Sequence, residues 1–355
     1  MTIAGTRPQL VKVAAVSRVL RESFEEILVN TGQHYDYKMA GVFFDELNIP
    51  KPNYDLGIGS DTHGRQTGKM LIAVEEVVEK ENPDAILVYG DTNSTLAGAI
   101  VASKLHIPLI HIEAGLRSYN KKMPEEINRI MTDHVATLLF APSDLAVANL
   151  AQEGIREGVH QSGDVMYDAV RYNMEIAEGK HALEAFNVTS GQYILSTIHR
   201  ADNTDDPERL EAILKAFVEM NEKIILPLHP RTKSKIESFG LQPFIENASN
   251  IEIIEPLSYL EMLLLEKHAK AIVTDSGGVQ KEAYFMEVPC ITLRDQTEWT
   301  ETIEAGWNQL VNPLTDNLPE ILANLKTGKP TVNLYGDGNA AKKIIEVMKS
   351  NLTNS

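Results

Sequence analysis

The same strand–loop–helix pattern occurs twice in this sequence, once in each half. In the first half, the apolar run 85–89 leads through the small polar residues 90–95 into a helix-forming stretch. In the second half, 271–274 leads through Asp-Ser-Gly-Gly at 275–278 into another such stretch. A loop of this kind places the free backbone N–H groups of a helix N-terminus at the carboxyl end of a parallel strand, where anions bind. The pattern predicts two parallel-sheet domains facing each other across a cleft, with a nucleotide-sugar diphosphate as the first candidate ligand.

Strand-like and helix-like segments alternate along the whole chain, as in βαβ units. The 355 residues, 43% of them hydrophobic, can bury two cores of about 150 to 200 residues each. We expect an N-terminal Rossmann-like domain over 1–165 and a C-terminal one over 166–335. An amphipathic helix within 336–352 is expected to pack back on the first domain.

Charge and cysteine content exclude several classes of protein. The net charge of −17 argues against nucleic acid or an anionic membrane as partner, because both favour a basic surface. The single cysteine, Cys290, lies in an apolar run and is interpreted as a buried strand residue that forms no internal disulfide. No stretch approaches the roughly 18 apolar residues of a membrane span. We therefore expect a cytoplasmic protein without a membrane partner.

Several charged residues lie at predicted strand ends in the first half. Glu113 ends a very apolar strand, where an unpaired carboxylate is costly, so we expect it to have a partner or a task. Arg7 follows a glycine turn and could fork onto phosphate oxygens, although a solvent-facing turn residue is an equally good interpretation. Glu125 and Arg129 are four residues apart at a helix start, where they offer an acid beside a cation or serve only the helix dipole.

The second half carries the candidates for phosphate and ribose binding. His199 and Arg200 end a strand in the domain that also contains 276–278, which favours phosphate contact. His229 begins a similar His-Pro-Arg segment, for which function and a loop role are equally good interpretations. Glu282 lies one turn into the following helix and could accept both hydroxyls of a ribose, or could simply face solvent. The sequence lacks GxGxxG, Walker and HExxH motifs, so that we expect no dinucleotide cofactor and no metal.

Taken together, these segments resemble the non-hydrolysing UDP-N-acetylglucosamine 2-epimerases. The resemblance runs in order from residue 2 to about residue 345. It rests on the segments Gly5 to Pro8, Gln33-His34, Gly90 to Thr92, His111 to Arg117, Pro124 to Arg129, His199-Arg200, and Asp275 to Glu282. It implies a GT-B architecture of two Rossmann-like domains around a cleft, usually as a homodimer, that needs neither NAD nor metal. The implied reaction interconverts UDP-N-acetylglucosamine and UDP-N-acetylmannosamine through anti elimination of UDP, a 2-acetamidoglucal intermediate and re-addition.

The resemblance also implies roles for individual residues. The residues expected to act in catalysis are Asp91, Glu113, Glu125 and His199. Those expected to bind the substrate are Arg7, Lys12, Arg117, Arg129, Arg200, Ser276, Gly277, Gly278 and Glu282, with Glu282 on the ribose. An activating second UDP-sugar, known for some members, would be bound by Gln33, Arg65, Gln66 and His229. Because Asp36 stands where the resemblance places a second glutamine, we predict weak or absent activation.

Some positions depart from the common pattern of the family. The segment Thr297-Glu298-Trp299-Thr300-Glu301 replaces the more frequent Thr-Glu-Arg-Pro-Glu. In this respect the chain is similar to the branch that includes epimerases of UDP-2,3-diacetamido-glucuronic acid, so that this substrate is an alternative. A GT-B glycosyltransferase, a hydrolysing epimerase and a non-catalytic nucleotide-sugar sensor are further alternatives.

Overall fold

The computed structural model describes residues 1–32, 44, 46–329 and 334–352. The chain divides into two compact units, Met1–Tyr172 with Asn333–Ser355, and Asn173–Val332. All strand pairs in the described residues are parallel, and they form one sheet in each unit. The prediction of an α/β protein with two parallel sheets is confirmed.

The first unit alternates strands and helices. Its strands are β1 (Thr2–Ala4), β2 (Leu28–Asn30), β3 (Tyr54–Asp55), β4 (Ile86–Tyr89), β5 (Leu109–Ile112), β6 (Leu138–Ala141) and β7 (Val159–Gln161). Its helices are α1 (Arg7–Leu20), α2 (His63–Glu81), α3 (Asn93–Lys104), α4 (Pro124–Val135), α5 (Asp144–Gln152), α6 (Val165–Lys180), which contains the point of division, and the last helix of the chain, α15 (Ala340–Leu352).

The second unit repeats this alternation. Its strands are β8 (Tyr193–Thr197), β9 (Lys223–Pro227), β10 (Ile251–Ile254), β11 (Ala271–Thr274), β12 (Cys290–Thr292) and β13 (Asn308–Leu310). Its helices are α7 (Ala201–Thr204), α8 (Pro207–Glu219), α9 (Pro230–Ser238), α10 (Gln242–Glu246), α11 (Tyr259–His268), α12 (Gly277–Phe285), α13 (Thr300–Glu304) and α14 (Leu318–Ala323), preceded by a short 3₁₀ helix over Leu183–Phe186.

The two sheets have the same strand order, except that the first has one more strand, β7, at its edge. The first runs β3-β2-β1-β4-β5-β6-β7 and the second runs β10-β9-β8-β11-β12-β13. The strand order therefore reverses between β1 and β4 in one unit and between β8 and β11 in the other. Ligands of open parallel sheets bind at the carboxyl ends of the strands that flank such a reversal. The duplicated loops found in the sequence follow β4 and β11, one of the two flanking strands in each unit.

Small residues bring helix α3 close to the first sheet. A Cβ atom on Gly98 would lie 2.9 Å from Val88 Cγ1 and 3.0 Å from Ile3 Cδ1, so that only glycine permits this approach. Ile3, Val88 and Ala99 belong to one buried apolar cluster. Because α3 is packed this closely, the loop between β4 and α3 is fixed at the edge of the sheet.

The last helix, α15, packs against α1 within the first unit. The Asp168 carboxylate accepts hydrogen bonds from the backbone N–H groups of Ala340 (3.0 Å) and Ala341 (2.8 Å) at its start. Among the helices described, none has the combination of length and apolar character that crossing a membrane requires. Cys290 lies buried in β12, as expected, and burial raises the pKa of its thiol to about 12.

Candidate active site

Glu113 and Lys12 form a buried ion pair at the reversal point of the first sheet. Glu113 follows β5 directly and has a backbone φ of +71°, a conformation that a residue with a side chain adopts only under constraint. A Cβ atom on Gly90 would lie 3.2 Å from Glu113 Oε2 and 3.5 Å from Lys12 Nζ. The glycine after β4 therefore gives this pair its space, and the expectation that Glu113 has a partner is confirmed.

Asp91, the next residue after Gly90, pairs with Arg129 from helix α4. The Arg129 guanidinium also donates to Glu126 at 2.9 Å, and Glu126 accepts from the backbone N–H and hydroxyl of Ser118 at 2.9 Å each. Burial raises the pKa of the Asp91 carboxyl, the charge of Glu113 adds to that rise, and Arg129 and Lys12 oppose it. Asp91 and Glu113 are thus two neighbouring carboxylates with different cationic partners, an arrangement suited to acid–base chemistry.

Amide side chains hold the backbone at Asp91. Asn128 Nδ2 donates to the Asp91 carbonyl at 2.9 Å and to Asn93 Oδ1 at 3.2 Å. Asn93 in turn donates to Gln66 Oε1 at 2.8 Å. Gln66 is buried and belongs to this network, whereas the adjacent Arg65 is exposed. Of the other positions predicted for an activator, Gln33 lies outside the described residues, as does Asp36.

The remaining predicted residues of the first unit lie at helix starts or in a buried network. Arg7 and Glu125 are exposed in the first turns of α1 and α4. The Arg117 guanidinium donates to Asp133 at 2.7 Å and to both oxygens of Glu153 at 2.6 and 2.7 Å. Its side chain is 1% exposed, so these contacts give no support to the prediction that Arg117 binds substrate and favour a structural role.

His111, in strand β5, is a further residue of this region that was not predicted. Its Nε2 lies 2.8 Å from the Gly90 carbonyl and its Nδ1 lies 2.7 Å from Asp133 Oδ1. Burial opposes ionisation of Asp133, but His111 and Arg117 outweigh it and lower the pKa of this carboxyl. Both ring nitrogens therefore face oxygen atoms, and the imidazole links the Gly90 carbonyl to the Asp133 carboxylate. A histidine inside a strand that is otherwise apolar was the available signal.

In the second unit, Asp275 organises the end of β8. Its buried carboxylate accepts from the backbone N–H groups of His199 (3.1 Å) and Arg200 (3.0 Å) and from Asn203 Nδ2 (3.1 Å). The Nδ1 atom of the His199 ring lies 3.3 Å from the same carboxylate, and the side chain is exposed. The centroid of the His199 ring is 6.2 Å from that of the His229 ring. The Nδ1 atom of His229 accepts a hydrogen bond from the backbone N–H of Arg231 at the start of α9. The two strands flanking the reversal thus bring His199, Arg200 and the 276–278 loop together.

The 276–278 loop begins helix α12. Ser276 is the N-cap residue, and its side chain accepts from the backbone N–H of Val279. A Cβ atom on Gly277 would lie 2.7 Å from Glu298 Oε1 and 3.9 Å from Arg200 Nη2. Glu298 also pairs with Arg294 at 3.1 Å. Glu298 and Arg294 were not among the predicted site residues.

Glu282 is buried in helix α12, against the interpretation that it faces solvent. Burial raises its pKa to about 7, while a hydrogen bond with Tyr259 and the charge of Lys281 oppose the rise. A second buried carboxyl, Glu266 from α11, has its pKa raised mainly by burial and further by Glu282. Within the described ranges, no three His, Cys, Asp or Glu side chains are grouped so that they could hold a metal ion.

Comparison with known proteins identifies the family. Residues 18–349 match the family model described as UDP-N-acetylglucosamine 2-epimerase. A "UDP-N-acetylglucosamine 2-epimerase homolog" from Methanococcus maripaludis is 52% identical, with 99% of each chain covered. The UDP-2,3-diacetamido-2,3-dideoxy-D-glucuronate 2-epimerase of Pseudomonas aeruginosa is 46% identical, with 98% of each chain covered.

Solved structures give the same result. The Methanocaldococcus jannaschii UDP-GlcNAc 2-epimerase, crystallised in complex with UDP-GlcNAc and UDP, has a TM-score of 0.90 at 45% identity, with 99% of each chain covered. A sucrose-phosphate synthase from Thermosynechococcus elongatus has a TM-score of 0.54 at 15% identity, covering 86% of this chain and 82% of its own, a likeness of fold alone. The predicted GT-B fold class is confirmed. This chain belongs to the UDP-N-acetylglucosamine 2-epimerase family.

Proposed function

We propose that this chain is a non-hydrolysing epimerase that interconverts UDP-N-acetylglucosamine and UDP-N-acetylmannosamine. The observation that carries the proposal is the pair of carboxylates, Asp91 and Glu113, each matched with a cation at the reversal point of the first sheet. Family membership supports it, because relatives across the whole length of the chain bear epimerase names. The reaction is an isomerisation in which protons and a leaving group move and no net oxidation occurs.

In the first half-reaction, the C2 proton passes to a base as the C1–O bond to UDP breaks and its electron pair leaves with the diphosphate. The C2–H electrons form the C1–C2 double bond of a 2-acetamidoglucal. A sugar C2 hydrogen is barely acidic, so the base must act while the ring carries positive character, which nearby carboxylates stabilise. Asp91, Glu113 and Glu125 are the proposed carboxylates. Re-addition of UDP to C1, with proton delivery to C2 on the opposite face, gives the epimer.

The second unit is proposed to hold UDP through both half-reactions. The helix start at Ser276, Gly277 and Gly278 offers backbone N–H groups, and Arg200 and His199 offer cationic or hydrogen-bonding side chains to the diphosphate. Ionised Glu282 accepts hydrogen bonds from the ribose hydroxyls. Arg7, Lys12 and Arg129 are proposed to contact the substrate from the first unit.

The products and three amide variants test this proposal. Incubation with UDP-N-acetylglucosamine should yield UDP-N-acetylmannosamine on anion exchange, with no accumulation of free N-acetylmannosamine and UDP. Asp91→Asn, Glu113→Gln and Glu125→Gln should each lower kcat by at least about 10²-fold, while UDP binding stays measurable by calorimetry. Full activity of all three variants would contradict the catalytic assignment, and accumulation of free sugar would indicate hydrolysis instead.

UDP-2,3-diacetamido-glucuronic acid is the second candidate substrate. The relative that carries this activity in its name is as similar to this chain, at 46% identity, as the M. jannaschii epimerase. The segment around Trp299 also departs from the usual family pattern. Measuring kcat/KM for both UDP-sugars under one condition decides between them. Added UDP-N-acetylglucosamine should give little or no activation in the same assay, and a sigmoidal substrate curve would contradict that prediction.

We propose further that the chain works as a homodimer. On helix α4, Ile127, Met131 and Val135 are 38%, 44% and 40% exposed, and their spacing of four residues places them on one face. An apolar stripe of this kind favours contact with another apolar surface. Met131→Glu should shift the sedimentation coefficient to that of a monomer. Leu314→Glu, an equally exposed site in the second unit, is the matched control and should leave the dimer intact.

A further inference from the structure

A carboxylate of the protein itself lies at the proposed diphosphate position. A Cβ atom on Gly277 would lie 2.7 Å from Glu298 Oε1 and 3.9 Å from Arg200 Nη2. Gly277 is the first residue of helix α12, where the helix dipole favours negative charge. Glu298 therefore places a negative charge at the N-terminus of α12, where a phosphate group would also place one.

Two cations hold this carboxylate. Arg294 Nη2 lies 3.1 Å from Glu298 Oε2, and Arg200 acts on Glu298 through its charge. Burial alone would raise the pKa of Glu298, but Arg294, the residue's own backbone N–H and Arg200 together lower it. The side chain is 14% exposed. Glu298 is thus an ionised, largely buried anion at neutral pH.

The segment that carries Glu298 is attached to the same helix start. Thr297 Oγ1 donates to Gln280 Oε1 at 2.7 Å, and Gln280 Nε2 donates to the Ser276 carbonyl at 3.1 Å. On the other side of Glu298, Lys281 Nζ lies 4.0 Å from the centroid of the Trp299 ring. These contacts attach the residues on both sides of Glu298 to helix α12.

Arg200 and Arg294 together have more N–H donors than one carboxylate can accept. Arg294 is 8% exposed, and its Nη1 is buried without a hydrogen-bond partner among the residues that the structure describes. A buried guanidinium nitrogen without a partner is costly. A diphosphate offers more acceptor oxygens and more negative charge than a carboxylate, and it could reach this nitrogen as well as the helix start.

We infer that Glu298 is an internal anion that occupies the proposed diphosphate position and is displaced when UDP binds. The inference rests on the proposed UDP site at α12. Both anions cannot hold the same helix start and the same two guanidinium groups, because like charges at this distance repel strongly in a partly buried site. The affinity for UDP is accordingly lower than Arg200, Arg294 and the helix start would give by themselves, which favours release of the nucleotide sugar after turnover.

Calorimetric titration of UDP and of uridine into the full chain tests the inference. Glu298→Gln keeps the size of the side chain and removes its charge, and it should bind UDP at least about fivefold more tightly than the wild type. Its affinity for uridine, which has no phosphate, should not change. Glu304→Gln, the same change at an exposed position of the next helix, should leave both affinities unchanged. Glu298→Asp draws the carboxylate back by one methylene and should bind UDP with an affinity between those of the wild type and Glu298→Gln. This variant tests the inference if the glutamine variant does not fold.

Equal or weaker UDP binding by Glu298→Gln would overturn the inference, since Glu298 would then only orient Arg294. A parallel gain for uridine, or an equal gain in Glu304→Gln, would also overturn it. If the folded wild-type chain does not bind UDP at all, the proposed function itself is wrong and the inference falls with it. Failure of the inference alone appears as UDP binding to the wild type without a gain in the variant.

Discussion

Replacing Glu282 by glutamine should stabilise the C-terminal unit at alkaline pH and have about a quarter of that effect at pH 5. Glu282 is buried in α12, and burial raises its pKa to about 7 from an ordinary value of 4.5. Glutamine has the same shape and keeps an oxygen that can accept from Tyr259. It cannot ionise, so it removes only the cost of placing a charge in this environment.

The size of the effect follows from the two pKa values. The difference between about 7 and 4.5, at about 1.4 kcal/mol per pH unit, corresponds to about 3 kcal/mol. Below about pH 4.5 the carboxyl is neutral in both the folded and the unfolded chain, and the two variants are equivalent. Between pH 4.5 and 7 the unfolded state ionises first, so wild-type stability falls as pH rises. Above about pH 7 the full cost is present in the wild type and absent from Glu282→Gln.

Differential scanning calorimetry of the wild type, Glu282→Gln and the exposed control Glu304→Gln at pH 5 and pH 8.5 checks this prediction. At about 2–4 °C per kcal/mol for a unit of this size, the transition of the C-terminal unit should rise by about 6–12 °C at pH 8.5. The control should follow the wild type at both pH values. A melting temperature for Glu282→Gln that is raised equally at pH 5, or lowered at pH 8.5, would refute the reasoning.

Three further predictions concern the two units separately. UDP affinity, measured by calorimetry, should fall as pH decreases below about 7, because the proposed ribose contact needs ionised Glu282; a flat profile from pH 6 to 8.5 would contradict it. Arg129→Met removes a charge that lowers the Asp91 pKa, so that the acid limb of kcat against pH should move to higher pH; an unchanged or lower limb would count against Asp91 as the group that must be ionised. His111→Asn should destabilise the N-terminal unit by about 2–4 kcal/mol and lower kcat while UDP affinity is retained, and wild-type kcat in this variant would show that the Gly90 loop does not depend on His111.

The sequence predicted the parallel sheets and the loops that follow β4 and β11 because both leave local signals. Continuous apolar runs such as 271–274 mark strands that are buried on both faces, and glycines at 90 and 277–278 mark the loops that follow them. The short strand β3 and the edge strands β7 and β13 were not predicted. Each is only two or three residues long and contains polar residues, so that it forms no apolar run.

The sequence indicated carboxylates of the candidate site, but it did not indicate the cations with which they pair. Glu113 could be selected because a charge beside an apolar strand needs a reason, yet its partner Lys12 lies about a hundred residues away in sequence. Arg117 illustrates the opposite case, since a motif position suggested substrate binding and the fold directs its guanidinium to Asp133 and Glu153. Contacts between distant segments decide such roles, and one sequence does not contain them.

Proton NMR of UDP-N-acetylglucosamine with the purified chain in D2O, without added cofactor or metal, tests the central claim most directly. We expect the C2 proton signal to disappear as deuterium enters at that carbon, and UDP-N-acetylmannosamine deuterated at C2 to appear. Asp91→Asn under the same conditions should leave the C2 proton in place. Persistence of the C2 proton in a wild-type sample that binds UDP would contradict epimerisation of this substrate.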